Sequence, residues 1–173
     1  MRPTPADPEA WNAYLAEGNA KQARKRVSAD VLLRDEQGRI LLVKPTYKPG
    51  WDLPGGMAEA NESPDDAARR ELKEELGLDV TLRGLLIVDW VPPHGPWDDQ
   101  LAFLFDGGTV DPTQTAVLRP RDEELSTVAF VSAADAPRRL NARLARRLRA
   151  AIQAESAATL LHDGRPSGPH QQD

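Results

Sequence analysis

Gly55-Gly56-Met57-Ala58-Glu59-Ala60-Asn61-Glu62-Ser63-Pro64-Asp65-Asp66-Ala67-Ala68-Arg69-Arg70-Glu71-Leu72-Lys73-Glu74-Glu75-Leu76-Gly77-Leu78 holds the clearest local signals in the chain. A glycine pair opens it and Gly77 closes it, and the residues between specify one short helix. Ser63 is placed to act as N-cap, Pro64 fits the first helical position, and Asp66, three residues after Ser63, resembles a capping box. Asp65 and Asp66 put negative charge at the positive end of the helix dipole. Gly77 is suited to the left-handed conformation that stops a helix.

The acids of this helix are not evenly spread. Glu71, Glu74 and Glu75 share one face, because positions i, i+3 and i+4 lie above one another. Ala68, Leu72 and Leu76 form the neighbouring stripe, so the three carboxylates border the surface that should meet the core. Two carboxylates about 6 Å apart repel by about 0.7 kcal/mol in bulk water, and by about 3 kcal/mol at an effective dielectric near 20. At the rim of a core, such a cluster calls for a cation. Oxygen ligands without Cys or a nearby His suit a hard ion, Mg2+ or Mn2+, better than zinc. Arg70, four residues before Glu74, is placed to orient that carboxylate. The bland alternative is an ordinary charged surface helix.

The wider spacing decides between the two. Gly56 is followed after five residues by Glu62, and after seven more by Arg70-Glu71-Leu72-Lys73-Glu74-Glu75-Leu76-Gly77-Leu78. This resembles the Nudix box, with every fixed position filled, and Trp51-Asp52-Leu53-Pro54-Gly55-Gly56 resembles its lead-in. The resemblance implies an α/β Nudix fold, a mixed β-sheet sandwiched between α-helices. It also implies Mg2+-dependent hydrolysis, with Mn2+ as a substitute, of a nucleoside diphosphate linked to another moiety. Carried over position by position, Glu74 and Glu75 are the principal metal ligands and Glu71 is a further ligand or water-activating carboxylate. A carbonyl of Gly55 or Gly56 completes the metal site. Glu59 becomes a candidate outer ligand, and Glu62 braces the loop through Arg70. Asn61 departs from the glycine that many relatives carry, a change Asn tolerates in a left-handed backbone.

The composition is that of a globular protein: 173 residues, 28% charged and 40% hydrophobic, in keeping with one domain. No apolar run is long enough to span a bilayer, and the first residues, Met-Arg-Pro-Thr-Pro-Ala-Asp-Pro, do not resemble a signal peptide. The absence of cysteine excludes disulfides and thiolate metal sites and fits a cytoplasmic protein. A net charge of −5 argues against a broad nucleic-acid surface. The expected partner is a small-molecule diphosphate, with a homodimer as an open question, since many relatives dimerise.

Three segments are expected: residues 1–26 as an extension carrying a short helix, 27–155 as the domain, and 156–173 as an unstructured tail. In the first, residues 7–23 place Trp11, Tyr14 and Leu15 at helical spacing, as a brace packed on the domain. Residues 27–34 and 39–43 read as strands joined by Asp35-Glu36-Gln37-Gly38. Lys44, Tyr47 and Lys48 lie on the loop before the box, where the lysines could hold the outer oxygens of a diphosphate or simply face solvent. Trp51 is open to core packing or to stacking on a planar substrate group. Beyond the box come a strand over 79–91, an irregular loop over 91–99, a strand over 101–105, a loop over 106–122 and a strand over 127–131.

The 91–99 loop, Val-Pro-Pro-His-Gly-Pro-Trp-Asp-Asp, is the leading candidate for substrate choice. Pro92 and Pro93 fall near the place where some ADP-ribose-cleaving relatives carry a proline, and His94 is a candidate phosphate contact. Glu123 and Glu124 lie where some Nudix enzymes supply an extra ligand or general base; as plain residues they read as surface acids. Residues 139–155 read as a helix with Leu140, Leu144, Leu148 and Ile152 on the core stripe and Arg143, Arg146, Arg147 and Arg149 mostly off it, on a solvated face.

Three other readings stay open. A sensor of the same fold would bind nucleotides without cleaving them. An isopentenyl diphosphate isomerase would need a cysteine this chain lacks. An enzyme of RNA ends would suit the arginines of the last helix and conflict with the net charge.

Overall fold

The computed structural model describes residues 2–154, with Ala158, Leu161–His162 and Arg165–Pro166 beyond them. Helix α1 (Pro8–Ala20) is capped by Asp7, whose Oδ1 accepts from the Ala10 N–H at 3.1 Å. None of its residues is buried; Trp11 and Tyr14 stack on each other with centroids 5.7 Å apart, and Arg2 covers the Tyr14 ring. The expected brace is therefore corrected, because the apolar positions of α1 close on themselves instead of on the domain.

Strands β1 (Arg26–Arg34) and β2 (Ile40–Pro45) are joined by a turn that Asp35 holds. Its Oδ1 accepts from the N–H groups of Gln37 and Arg39 at 3.0 and 2.8 Å. Strand β3 (Gly55–Met57) lies antiparallel to the first half of β1, with Asp30 opposite Gly55 and Ala29 opposite Gly56. Helix α2 (Pro64–Leu76) follows, then β4 (Gly84–Val91), β5 (Gln100–Thr109), α3 (Pro112–Val117), β6 (Leu125–Val131), α4 (Ala136–Arg139) and α5 (Ala142–Gln153). The sheet runs β4-β5-β1-β2-β6, with β3 also on β1; the β1–β5 pairing is parallel and the others antiparallel.

Alternation along β1 and β2 supplies both faces of this mixed sheet. Ala29, Val31, Leu33, Leu41 and Val43 pack with Ala68, Leu72 and Leu76 of α2. Leu32, Ile40 and Leu42 pack on the other face with Leu140, Ala145, Leu148 and Ala151. The expected α/β sandwich is what the chain forms. It places β3 where the edge of α2 meets β1.

Several expected boundaries shift. Residues 79–83 form no ladder; Val80 and Leu82 pack on the α2-side core without a partner strand, and pairing starts at Gly84. The 106–122 segment contains α3, begun by Asp111, whose Oδ1 accepts from the Thr113 N–H at 2.8 Å. The single helix over 139–155 is in fact two. Leu140 is extended and buried, and Asn141 starts α5 afresh by accepting from the N–H groups of Arg143 and Leu144, both at 3.0 Å. Arg147 then falls on the buried face, while Ile152 is exposed. The expected unstructured tail lies largely outside the described residues. Within it, Ala158 bridges Leu85, and β7 (Leu161–His162) pairs β8 (Arg165–Pro166).

Candidate functional site

Helix α2 has the ends its sequence specifies. Ser63 Oγ accepts from the Asp66 N–H at 3.3 Å, and Gly77 takes φ 68° as the left-handed cap. Asn61 likewise sits at φ 65°. These stops fix which residues face the sheet, and Glu75 is buried among Ala68, Leu72 and Leu76.

Both opening glycines are required by close approach. A Cβ at Gly56 would stand 2.4 Å from the Glu71 carboxyl carbon, and one at Gly55 would stand 2.2 Å from the Ala29 carbonyl oxygen. Backbone and carboxylates are thereby brought together at β3.

Arg70 organises the loop. It grips Glu62 through two parallel hydrogen bonds, Nε to Oε1 at 2.8 Å and Nη2 to Oε2 at 3.0 Å, and donates to the Met57 carbonyl at 3.0 Å. Its Nη1 reaches Glu71 Oε1 and Glu74 Oε2, each at 3.1 Å. Glu62 Oε2 also accepts from the Glu59 N–H at 2.8 Å, which closes the loop over α2. The Glu62 hydrogen bonds raise the Arg70 pKa above its usual value, and Arg70 in turn lowers that of Glu62.

Glu75 is the anomaly of the site. Its Oε2 is buried without a hydrogen-bond partner. Burial pushes its carboxyl up to about 8, with Glu71, Asp122 and Glu124 adding to the rise and a Gly55 backbone hydrogen bond opposing it. Burial also raises Glu71, against the pull of Arg70. Glu74 is different: it is 58% exposed and turned toward Arg70. As the side chains stand, no three His, Cys, Asp or Glu residues among those described converge on one metal position. The donor set nevertheless fits a hard divalent cation at Glu71 and Glu75, where a buried carboxylate oxygen is orphaned beside a second carboxylate and a glycine backbone.

The segment before β6 is fastened against these acids. The Arg121 N–H donates to the Glu75 carbonyl, and the Thr46 N–H to the Glu124 carbonyl, both at 2.8 Å. Asp122 and Glu124 are close enough to raise Glu75. Glu123 contributes its backbone carbonyl, which accepts from Thr46 Oγ1 at 2.9 Å.

On the far side of β3, a cavity of about 430 Å³ is lined by Gly55, Gly56, Tyr47 and Lys48 together with Arg26, Asp30, Asp52, Trp97, Gln100, Asn141, Arg143 and Arg147. Of the residues picked from sequence for substrate contact, Tyr47 and Lys48 line it, with Lys48 paired to Asp52 and lying over the Tyr47 ring. Lys44, Trp51, Pro93 and His94 do not line it. Lys44 is exposed on β2. Trp51 is half-buried against the α5-side core with Arg139 over its ring, which favours the packing reading. Pro93 is exposed in its loop. His94 ties that loop down, with Nδ1 3.0 Å from the Pro92 carbonyl and Nε2 3.3 Å from Arg143 Nη1. A second cavity of about 310 Å³ meets the first at Val91, Arg143 and Arg147.

Sequence reasoning missed Asp30 and Arg147. Arg147 Nε and Nη2 donate to Asp89 Oδ2 at 3.2 and 3.0 Å, and Nη1 donates to Asp30 Oδ2 at 3.2 Å. Burial raises Asp30 to about 7 even with Arg147 opposing. An acid set between Ala29 and Val31, just before the apolar run Val31-Leu32-Leu33, was the available signal.

Comparison with known proteins agrees with this architecture. The NUDIX domain pattern matches residues 24–152. A Bacillus subtilis protein, named provisionally as an 8-oxo-dGTP diphosphatase, is 39% identical over 95 residues, 53% of this chain and 62% of its own length. An RNA pyrophosphohydrolase of Marinomonas is 37% identical over 54 residues, 31% of this chain and 34% of its own length. The chain thus spans less than two thirds of either relative. Among solved structures, the MutT protein of Methanosarcina mazei Go1 superimposes with a TM-score of 0.62 at 24% identity, covering 76% of this chain and 99% of that one. A UDP-X diphosphatase superimposes with a TM-score of 0.64 at 19% identity, covering 87% of this chain and 73% of that one. The structural likenesses establish the fold, and the pattern, running over well over half of the residues, establishes the lineage: the chain belongs to the NUDIX family.

Proposed function

We propose that this chain is a divalent-metal-dependent pyrophosphohydrolase that cleaves the diphosphate of a nucleoside diphosphate linked to another moiety, with Mg2+ as the ion and Mn2+ as a substitute. The observation that carries this reading is the buried, unpartnered Oε2 of Glu75 on an all-oxygen acidic face. Glu71, Glu75 and a carbonyl of Gly55 or Gly56 would hold the ion, and Glu74 would join them on leaving Arg70. When bound, the ion neutralises diphosphate charge and lowers the pKa of an attacking water. The chain's own groups do the rest. Arg70 keeps the loop closed on α2 through Glu62. Lys48 and Tyr47, on the cavity wall, meet the outer phosphate oxygens and the group beyond them. Glu71 or a loop acid, Asp122 or Glu124, takes the proton from water. The names of the relatives, an 8-oxo-dGTP diphosphatase and an RNA pyrophosphohydrolase, support a nucleotide on one side of the bond.

The test is a Mg2+-dependent phosphate-release screen over ADP-ribose, nucleotide sugars, ordinary and oxidised nucleoside triphosphates, dinucleoside polyphosphates and prenyl diphosphates. At least one class is hydrolysed, and Glu75→Gln lowers its kcat by roughly a thousandfold, the loss of several kcal/mol of charge stabilisation. Binding of ADP-ribose with no release under any metal would replace this reading with the sensor.

A further inference from the structure

The arginines of α5 divide into two sets. Arg149 lines neither cavity, whereas Arg143, Arg146 and Arg147 form one side of the cavity of about 310 Å³, and β4 from Ile87 to Val91 forms the other. Arg147 is spent on Asp89 and Asp30. Arg143 is half-buried and Arg146 exposed, and neither pairs with a carboxylate among the described residues; Arg143 Nη1 instead lies 3.3 Å from His94 Nε2. Even with Asp30 counted, the three arginines meet only two carboxylates, on a chain whose net charge is −5. Asp89 Oδ2 already accepts two N–H groups of Arg147. Strand β4 is the edge of the sheet, and from Ile87 to Val91 its outer side has no strand partner among the described residues. Ligand pockets run from about 300 to 1,000 Å³, so a cavity of this size suits one group of a larger molecule.

We infer that this arginine-lined cavity binds a second phosphate of the substrate, an ester on the 2′ or 3′ hydroxyl of its nucleoside, with Arg143 and Arg146 as the residues that hold it. Three stations follow one another across the molecule. Glu71 and Glu75 lie on one side of β3 and the larger cavity on the other, and the arginine-lined cavity meets the larger one at Val91, Arg143 and Arg147. A diphosphate at the acids and a phosphate at the arginines are thus the two ends of one molecule, with the nucleoside between them. The ends take the same anion by opposite means. The acids need a cation before they accept phosphate; the arginines need none, because a guanidinium donates two parallel N–H groups to two phosphate oxygens. Among the described residues Asp89 is the sole carboxylate lining the arginine end, and Arg147 holds it, so a phosphate there is bound and not cleaved. The inference rests on the reading that the substrate is a nucleoside diphosphate linked to another moiety.

The test compares the 5′-monophosphates of adenosine, guanosine, cytidine and uridine with the matching 3′,5′- and 2′,5′-bisphosphates. None contains a diphosphate, so calorimetric binding to the full chain, at about 0.15 M salt, is read independently of hydrolysis. At least one bisphosphate binds about tenfold or more tightly than its 5′-monophosphate. Arg146→Ala reduces that gain to about twofold or less, while Arg149→Ala, equally exposed and outside both cavities, keeps it. Equal affinity within every set, no binding of any bisphosphate at millimolar concentration, or a gain that survives Arg146→Ala would overturn the inference. So would a gain lost equally in Arg149→Ala, which would reflect the charge of the helix and not the cavity. Inorganic phosphate separates the two sources of the anion: if it binds through Arg146 while the bisphosphates show no gain, the cavity serves a free phosphate and the inference falls. A gain in a chain that hydrolyses nothing would leave this inference standing and remove the pyrophosphohydrolase reading; hydrolysis without a gain would do the reverse.

Discussion

Glu75 shows how much one side chain's surroundings decide. Its carboxyl is pushed from 4.5 up to about 8 by burial first and by Glu71 next. Between those values the folded chain binds more protons than the unfolded chain, so stability without metal falls as pH rises from about 4.5 to about 8 and levels off above. Asp30, raised to about 7, contributes with the same sign. Thermal melts in EDTA across this range should show the decline, and Glu75→Gln should make it shallower without abolishing it. A melting profile rising with pH would contradict the assignment. Gly56 makes a second residue-scale case, since a methyl there would fall 2.4 Å from the Glu71 carboxyl carbon. Gly56→Ala should cost about 1–3 kcal/mol in urea unfolding and lower activity by displacing Glu71. The place of Glu75 was legible in the sequence, because i, i+3, i+4 spacing put the acids beside Leu72 and Leu76. The orientation of Glu74 was not. Spacing defines a face but not which neighbour, Arg70 or a metal, claims the carboxylate.

At the scale of elements, α2 and α5 make a contrast. Serine, proline, two aspartates and a terminal glycine bound α2, and each acts locally, so its limits follow from sequence. Ser63→Ala should remove about 1 kcal/mol of stability while turnover persists. In α5 the leucine spacing continued smoothly through residue 140, and it misled. The deciding event is that Leu140 extends into the core and Asn141 restarts the helix, which rotates the buried face onto Arg147. A buried arginine is intelligible only once Asp30 of β1 and Asp89 of β4 are known to meet it, and that is tertiary information. Arg147→Ala should cost about 3–5 kcal/mol by stranding two carboxylates. Arg146→Ala and Arg149→Ala, on exposed positions of the same helix, should stay within about 0.5 kcal/mol. Equal effects at all three positions would show that the ion triad is not formed.

Across the whole molecule, two cores back the two faces of one sheet, and the acidic face and the cavity lie on either side of β3. That arrangement follows from the alternation in β1 and the parallel β1–β5 pairing, the first readable from sequence and the second a long-range contact of which the box implied no more than a mixed sheet. The residues that line the cavity were the least legible part. They come from β1, the loop before β3, the 92–99 loop and the start of α5, and nothing local tells which loop side chains turn inward. Helix α1 contributes no buried residue, so deleting residues 2–22 should shift Tm by no more than about 2 °C, the scale of about 0.5–1 kcal/mol in a domain of this size. A collapse on deletion would mean that α1 supports the sheet after all. The account turns most directly on whether the orphaned oxygen of Glu75 seats the ion. A Mn2+ titration followed by electron paramagnetic resonance, on the wild type and on Glu75→Gln, measures that without any substrate. Metal binding by the wild type, weakened by roughly a hundredfold in Glu75→Gln, is the predicted result. Equal Mn2+ affinity in the two proteins, or none in the wild type, would contradict it.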